Sequence, residues 1–441
     1  MERGLLCSAV CAAIMATASV SFAAGLKINE QGAKAMGMAN AFTAQADDPS
    51  ALYYNPAGIA FLKGGQVSMG SVNILVPQTE FEGTTGLSGS AVVSEKAKRD
   101  LFIAPNLYAT YTLEALPLTL GFGVNSIYPL AKSWDNSSAF RNQIQEIAVK
   151  PINFQPTAAY LFEDLNLSVA AGLDITHAIV TLSKSVYTAD ASNGNAPVEL
   201  GVMGLDGTAT DLGYNLGIKW KPIKELSLGV AYRSEVTLHI DGDANFLATS
   251  QAGAATIGQS ASATSYNPQL RATSPVTTTI TLPDSLALGV AWQPTEKLTV
   301  EFDAERTGWS SLQELEFNFH NSQFNNFNNK PEEKNWHDAW CYKLGGQYAI
   351  NKNLDLRAGV AYDNNPIPDS TLGPMLPDSD RYNVTLGSGV HNEHFSVDLA
   401  YMWVHWLERT VNNQNSATLM GENGTFKSDA HLFAANMTVK F

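Results

Sequence analysis

After residue 24 the chain has no apolar run of the ~18 residues that a membrane-spanning helix needs. Mean hydropathy is close to zero as well. Together these exclude a helical membrane bundle. Positive charge is scarce: 27 Lys and Arg stand against 42 Asp and Glu, a formal net charge of −15. Nucleic acid is therefore not an expected partner, because phosphate binding needs basic clusters. Charged residues of either sign are only 16% of the 441 residues, and hydrophobic ones are 45%. A disordered chain has the opposite balance. Cysteine is scarcest, with three in all, at positions 7, 11 and 341. Two architectures remain: a soluble protein of two or three domains at ~150 residues each, or a membrane protein whose apolar residues are dispersed by alternation.

Residues 1–23 read as a secretory signal. Arg3 gives the positive start, Leu5 to Val20 the short apolar stretch, and Ser21-Phe22-Ala23 the small residues of a cleavage site. Cleavage is placed after Ala23, with Ala24 as the alternative. Val10 is a poor residue before a lipidated cysteine, so no lipid anchor is expected at Cys11. Removal of the leader leaves Cys341 alone and no intramolecular disulfide. An exported, acidic, disulfide-free chain of this size is ordinary for a bacterial outer-membrane barrel.

Period two is the dominant pattern in the rest of the chain. Phe433, Ala435, Met437, Val439 and Phe441 alternate with Ala434, Asn436, Thr438 and Lys440. Leu226, Leu228, Val230 and Tyr232 alternate with Ser227, Gly229, Ala231 and Arg233, and the same holds at 298–305, 354–362 and 395–403. A helix would scatter these residues, whereas a strand puts one set on each face. The strands run to 12–18 residues, against ~5–6 in globular sheets. Connections alternate in length. Short ones fall at Glu114-Ala115, Glu163-Asp164, 221–225, 293–297, 351–353 and Asn392-Glu393; long ones near 78–98, 131–146, 184–208, 242–275, 318–335, 364–379 and 411–427. Six short turns and seven long loops predict fourteen strands. Short periplasmic turns with long outer loops are the habit of transmembrane barrels. Trp220 and Trp292 precede short turns, where an interfacial aromatic girdle belongs. The predicted fold is all-β: a 14-stranded antiparallel transmembrane barrel over 65–441, in the outer membrane of a Gram-negative cell.

Residues 24–64 do not alternate. They hold Asp47-Asp48-Pro49-Ser50 and Tyr54-Asn55-Pro56-Ala57-Gly58, where Asn-Pro favours a turn. A barrel of fourteen strands has a lumen too wide for side chains alone to fill. Leu26, Ile28, Met36, Met38, Phe42, Leu52, Tyr53, Tyr54, Ile59 and Phe61 are too many apolar groups for a free tail. This segment is therefore expected to plug the lumen.

Catalytic chemistry is missing from the sequence. No nucleophile elbow, Walker loop or dinucleotide fingerprint is present. Gly387-Ser388-Gly389 lies mid-strand and reads as space for a neighbouring side chain. His391 and His394 flank a tight turn rather than share a helix face, so no metal site is assigned to them. No cofactor, metal or catalytic residue is expected.

The residues also resemble a known family, the FadL-type outer-membrane transporters of long-chain fatty acids, which include TodX-like importers of aromatic hydrocarbons. The likeness is carried by 24–30, by Asp47-Asp48-Pro49-Ser50 leading to Asn55-Pro56-Ala57-Gly58, by 228–234 and by Leu282-Pro283-Asp284-Ser285. It is strongest at 356–363, followed by Pro366, Pro368-Asp369 and 376–381. The resemblance implies passive uptake of a hydrophobic small molecule. Asn55, Pro56 and Ala57 would gate as the hatch motif. Asn125, Ser126 and Pro129 would mark an inward kink of the third strand, where ligand leaves sideways into the bilayer. Long-chain fatty acids are the first expected substrate and neutral or aromatic hydrocarbons the alternative, since the fifth strand (174–183) holds no Lys or Arg, only His177. Arg233, Lys343 and Arg357 are the candidate cations, unmatched to any ligand contact. A general diffusion porin, a structural or adhesion barrel and a lipase are the rival classes. The expected partners are the ligand, outer-membrane lipids and, from the terminal Phe441, the barrel assembly machinery; a monomer is expected.

Overall fold

In the computed structural model, residues 25–441 are described except 77–78, 114, 191–193, 195, 260–269, 328–330 and 416. The leader expected at 1–23 lies outside the described residues. Fourteen wall segments form one antiparallel sheet that closes on itself. In chain order they are β1 (Gly65–Val76), β2 (Asp100–Thr112), β3 (Leu118–Asn125, then Leu130–Ser133), β4 (Glu146–Phe162), β5 (Leu167–Asp190), β6 (Ala196–Ile223) and β7 (Leu226–Arg233, then Val236–Ala248). They continue with β8 (Arg271–Leu282, then Ser285–Thr295), β9 (Leu298–Thr307), β10 (Ala339–Asn351), β11 (Leu354–Asp363), β12 (Arg381–His391), β13 (Phe395–Trp406) and β14 (Asp429–Lys440). Closure is made by β1 pairing with β14, from Gln66↔Lys440 to Leu75↔His431. Phe441 extends that ladder by exchanging both backbone hydrogen bonds with Gly65 at 2.9 Å.

Alternation has the consequence expected of it. On β6, Leu212, Tyr214, Leu216, Ile218 and Trp220 point outward and are exposed, while Asn215 and Lys219 are buried inside. In an outer membrane the exposed set meets lipid. All six short turns fall where the sequence places them. One long loop does not. Residues 184–208 are not a loop, because β5 and β6 run on as strands of 24 and 28 residues, paired up to Asp190↔Ala196. Such lengths far exceed the ~9–11 residues that cross the hydrocarbon, so this hairpin stands well above the bilayer. Above the wall, 80–85, 93–96, 409–412 and 422–427 form a separate four-stranded sheet. It packs Phe81, Phe140, Phe426 and Trp134 together, with ring centroids 4.7–6.0 Å apart.

Residues 25–64 sit inside the barrel. They form two single-turn helices, α1 (Ala33–Met36) and α2 (Ala51–Tyr54), and a tight turn at Pro56–Phe61. Nearly every residue from 25 to 60 is buried. The wall accommodates them through glycine. A Cβ added at Gly229 would lie 2.1 Å from the Thr43 carbonyl oxygen, at Gly345 2.4 Å from that of Met38, and at Gly387 2.8 Å from the Gly37 Cα. Gly389 instead clears the Arg357 guanidinium, since a Cβ there would be 2.7 Å from Nη2.

Candidate functional site: a plugged lumen with an apolar conduit

Polar wall groups grip the segment backbone at several heights. On β9 the Asp303 carboxylate accepts the Phe42 and Thr43 N–H groups at 2.9 and 3.0 Å, and Glu301 accepts those of Ala44 and Gln45 at 2.5 and 2.8 Å. Lys219 on β6 donates to the Gln45 and Ala46 carbonyls. Lys27 and Lys343 both pair with the buried Glu305, Lys343 at 2.5 Å. Buried donors and acceptors must find partners, and charges most of all. Here the partners come from opposite sides of the contact between segment and wall.

The three cations suggested by the sequence are each held by a carboxylate of the wall. Arg233 pairs with Asp174, Lys343 with Glu305, and Arg357 with Asp398 at 2.7 Å. His177 faces outward, hydrogen-bonded to Thr210 at 2.8 Å, so it does not enter the lumen.

Asn55, Pro56 and Ala57 lie against β5 and β6. The Asn55 side chain accepts from the Ala57 N–H at 3.1 Å and donates to the carbonyls of Thr43 at 2.7 Å and Ile218 at 3.0 Å. Pro56 opens the tight turn, where its fixed φ suits the geometry. The Ala57 carbonyl accepts from Ser168 at 2.7 Å. One residue thus joins the segment to itself and to the wall.

Asn125, Ser126 and Pro129 lie elsewhere, at the break in β3. The lower part of β3 pairs with β2 only up to Leu107↔Val124, and the upper part pairs only with β4. Among the described residues, 101–106 of β2 therefore have no ladder partner on the β3 side. Ile127 and Tyr128 are buried in the lumen. The Ile127 carbonyl accepts from the Ile28 N–H at 2.9 Å, and the Tyr128 hydroxyl reaches across to the Pro283 carbonyl at 2.9 Å. Ser126 bonds the Pro151 carbonyl at 2.7 Å, and Asn125 bonds Gln155 at 3.3 Å. Pro129 removes one N–H, but the inward turn also rests on these contacts.

The two groups do not touch. They are joined by Gln31, whose amide donates to the Ser126 carbonyl at 2.6 Å and whose backbone N–H donates to the Tyr54 hydroxyl at 3.0 Å, next to Asn55. Gln31 is not singled out by the sequence, and Tyr54 is marked there only as an apolar group beside the Asn55 motif. Nothing in a lone Gln or Tyr marks such a role.

Above the plug lie two apolar cavities of about 490 and 380 Å³. The first is walled by Val180, Leu182, Met203, Leu205, Ile240 and Phe319, among others. The second descends to Leu26 on the plug and Leu130 on upper β3, past Trp336 and Leu376. They share Ile147, Val149, Ile280, Leu315 and Met375, together with Gln143, Lys184 and Glu332, and so form one conduit. Lys184 is the lumen-facing cation that the sequence reading missed. Burial alone would raise the Glu332 carboxyl; the Lys334 and Lys184 ammoniums override it and hold the group below the usual carboxylate range. Lys334 bonds Glu332 directly, whereas Lys184, among the described residues, forms no ion pair. Burial pushes Glu422, which accepts from Gln143 at 3.1 Å, up to about 8, so it stays largely neutral at pH 7.

A closed fourteen-stranded wall, a filled lumen and an apolar conduit above the plug define an outer-membrane channel for hydrophobic compounds. The comparisons carry this further. Residues 14–441 match the family described as outer membrane protein transport protein (OMPP1/FadL/TodX), and the chain belongs to that family. It is 24% identical over 470 residues to the long-chain fatty acid transport protein of Escherichia coli, covering 98% of each chain. It is 25% identical over 478 residues to outer membrane protein P1 of Haemophilus influenzae, covering 98% and 99%. Among solved structures, a Pseudomonas aeruginosa FadL homologue superposes with a TM-score of 0.78 at 21% identity, covering 95% of this chain and 100% of that one. The Ralstonia pickettii toluene transporter TbuX gives 0.67 at 18%, covering 93% and 98%. The protein is thus an outer-membrane transporter of hydrophobic compounds in a family of channels, not enzymes.

Proposed function

We propose that this chain takes up long-chain fatty acids: ligand enters between the outer loops, fills the conduit, passes the plug and leaves sideways at the β3 break. The observation that supports this is the continuity of the two cavities, which together suit an extended chain better than a compact ring. Lys184, at their junction, would meet the carboxylate. Each methylene kept out of water is worth ~0.8 kcal/mol, so release into the bilayer keeps the chain in apolar surroundings throughout. Asn55 and its neighbours would gate, because a shift at Tyr54 is transmitted by Gln31 to the Ser126 carbonyl.

Two measurements test this reading. Mass spectrometry of lipid extracted from purified protein should find fatty acid. Lys184→Met should weaken oleate binding about 10-fold or more, since hydrogen bonds to charged groups are worth ~1.5–3 kcal/mol, and leave toluene binding unchanged. Toluene bound and oleate refused by the wild type would move the assignment to aromatic hydrocarbons. Sugar permeation in liposome swelling would favour the porin. For the exit, Tyr128→Val combined with Pro129→Val removes the lumen anchor and restores a backbone donor at a strand-forming residue. Uptake should fall several-fold, and normal uptake would place the exit elsewhere.

A further inference from the structure

The wall has a second discontinuity, on the side of β6 and β7. The lower part of β7 pairs with β6 up to Arg233↔Asn215, and one further backbone bond joins the Ser234 N–H to the Tyr214 carbonyl at 2.9 Å. Pairing resumes only at Asp241↔Thr208. Between these points, among the described residues, no ladder pair joins 209–213 to 235–240. A side chain stands in for the ladder: the Asp211 carboxylate accepts the His239 backbone N–H at 2.9 Å and meets its Nδ1 at 3.0 Å. β8 is interrupted beside it at Pro283-Asp284, so neither β7 nor β8 crosses this level as one continuous strand.

The lumen face of this seam is apolar, and its outward face carries Leu212 together with Thr208, Thr210, Thr237 and His239. Val236, Leu238, Ile240 and Ala209 are buried on the lumen side, while Leu212 points outward and is 68% exposed, at the upper end of the lipid-facing row that starts at Trp220. The upper cavity lies directly behind the seam's upper end, where Asp206, Gly207, Ile240 and Gly242 form part of its lining. Parting two strands that share backbone hydrogen bonds would leave donors and acceptors unmet in lipid, which is costly. Across this gap, among the described residues, the hydrogen bonds to be released are those of Asp211 with His239.

We propose that the β6–β7 seam is a second lateral port, through which hydrophobic ligand already dissolved in the outer leaflet enters the upper cavity without first passing through water. The proposal rests on the reading of that cavity as the ligand conduit. Continuing the ladder register places Thr210 opposite His239. The test is therefore Thr210→Cys with His239→Cys in a Cys341→Ser background, joined by oxidation, or by a short bis-maleimide where oxidation does not link them. The protein is reconstituted in vesicles and given a photoreactive long-chain fatty acid from two donors, either predissolved in the membrane or carried by cyclodextrin in the water. Covalent adduct per minute is measured. With the seam joined, loading from the membrane should slow several-fold and loading from cyclodextrin should hold; reducing the disulfide should restore the rate. The unlinked double variant, checked for heat-resistant folding, controls for the substitutions. Unchanged membrane loading in fully joined protein overturns the port. Failure of the wild type to load from either donor instead overturns the conduit reading on which the port depends.

Discussion

Deleting residues 25–64 behind an intact leader should yield a folded barrel that conducts ions continuously, at a level far above that of the whole chain. No wall ladder passes through these residues; the barrel closes by β1 on β14, between 65 and 441. Removing them therefore empties the lumen without cutting the sheet. What is left facing the bore is polar: Glu301, Asp303, Lys219 and Arg357 lose the backbone groups they hold or pack against. A lumen of this strand number is too wide for side chains to seal, so water and ions fill it. Single-channel recording in planar bilayers reads the result, with a heat-dependent gel shift to show that the barrel has formed. A folded deletion protein as tight as the wild type would falsify the plug.

Glu305→Ala should have the largest effect of any single substitution in the lumen. Glu305 is buried between Lys27 of the plug and Lys343 of β10 and bonds both. Removing it leaves two cations facing each other without the carboxylate that they share. Breaking a buried pair in this way costs ~3–5 kcal/mol, and here the cost falls on the docking of residues 25–31 rather than on the sheet. The plug segment should become cleavable by trypsin at Lys27 while the barrel keeps its heat resistance, and bilayer recordings should show frequent openings. Replacing all three groups, with Lys27→Met, Glu305→Leu and Lys343→Met, should recover most of the protection, since an apolar substitute for an ion cluster is often neutral or better. If Glu305→Ala alone leaves Lys27 protected, the triad does not hold the plug.

The strand count and every short turn were legible because lipid enforces a strict alternation between the two faces of a wall, and a tight turn breaks it abruptly. The reading failed at 184–208 for the same reason. Once β5 and β6 leave the hydrocarbon, the outward positions turn polar while Leu200, Met203 and Leu205 face the apolar cavity, so the mark of a lipid-facing strand is lost and a strand reads as loop. Parity could have rescued one site residue. Ala170, Asp174, Thr176, Ala178 and Leu182 face inward, so even positions of β5 point into the lumen. Lys184 follows from that rule, and His177 is excluded by it. The ion pairs could not be found in this way. Lys27 and Glu305 are 278 residues apart, and no local pattern links a residue in the plug to one particular strand. The resemblance supplied Asn55, Pro56 and Ala57 but not Gln31, which the structure places between them and the β3 break.

The glycines of the wall have a further consequence. Packed cores ordinarily hold by interdigitation, with knobs seated in holes, and moving one element past another means lifting each knob over a ridge. Where Gly229, Gly345 and Gly387 meet residues 37–43, backbone lies flat on backbone. Such a contact is close without being keyed. Fit and mobility, which usually oppose each other, are therefore separated in this lumen. Close approach comes from the absent side chains, while position is fixed by a few carboxylates and amides that can let go one at a time. A single methyl group added to that smooth bore would meet plug backbone at 2.1–2.8 Å and force it out of place.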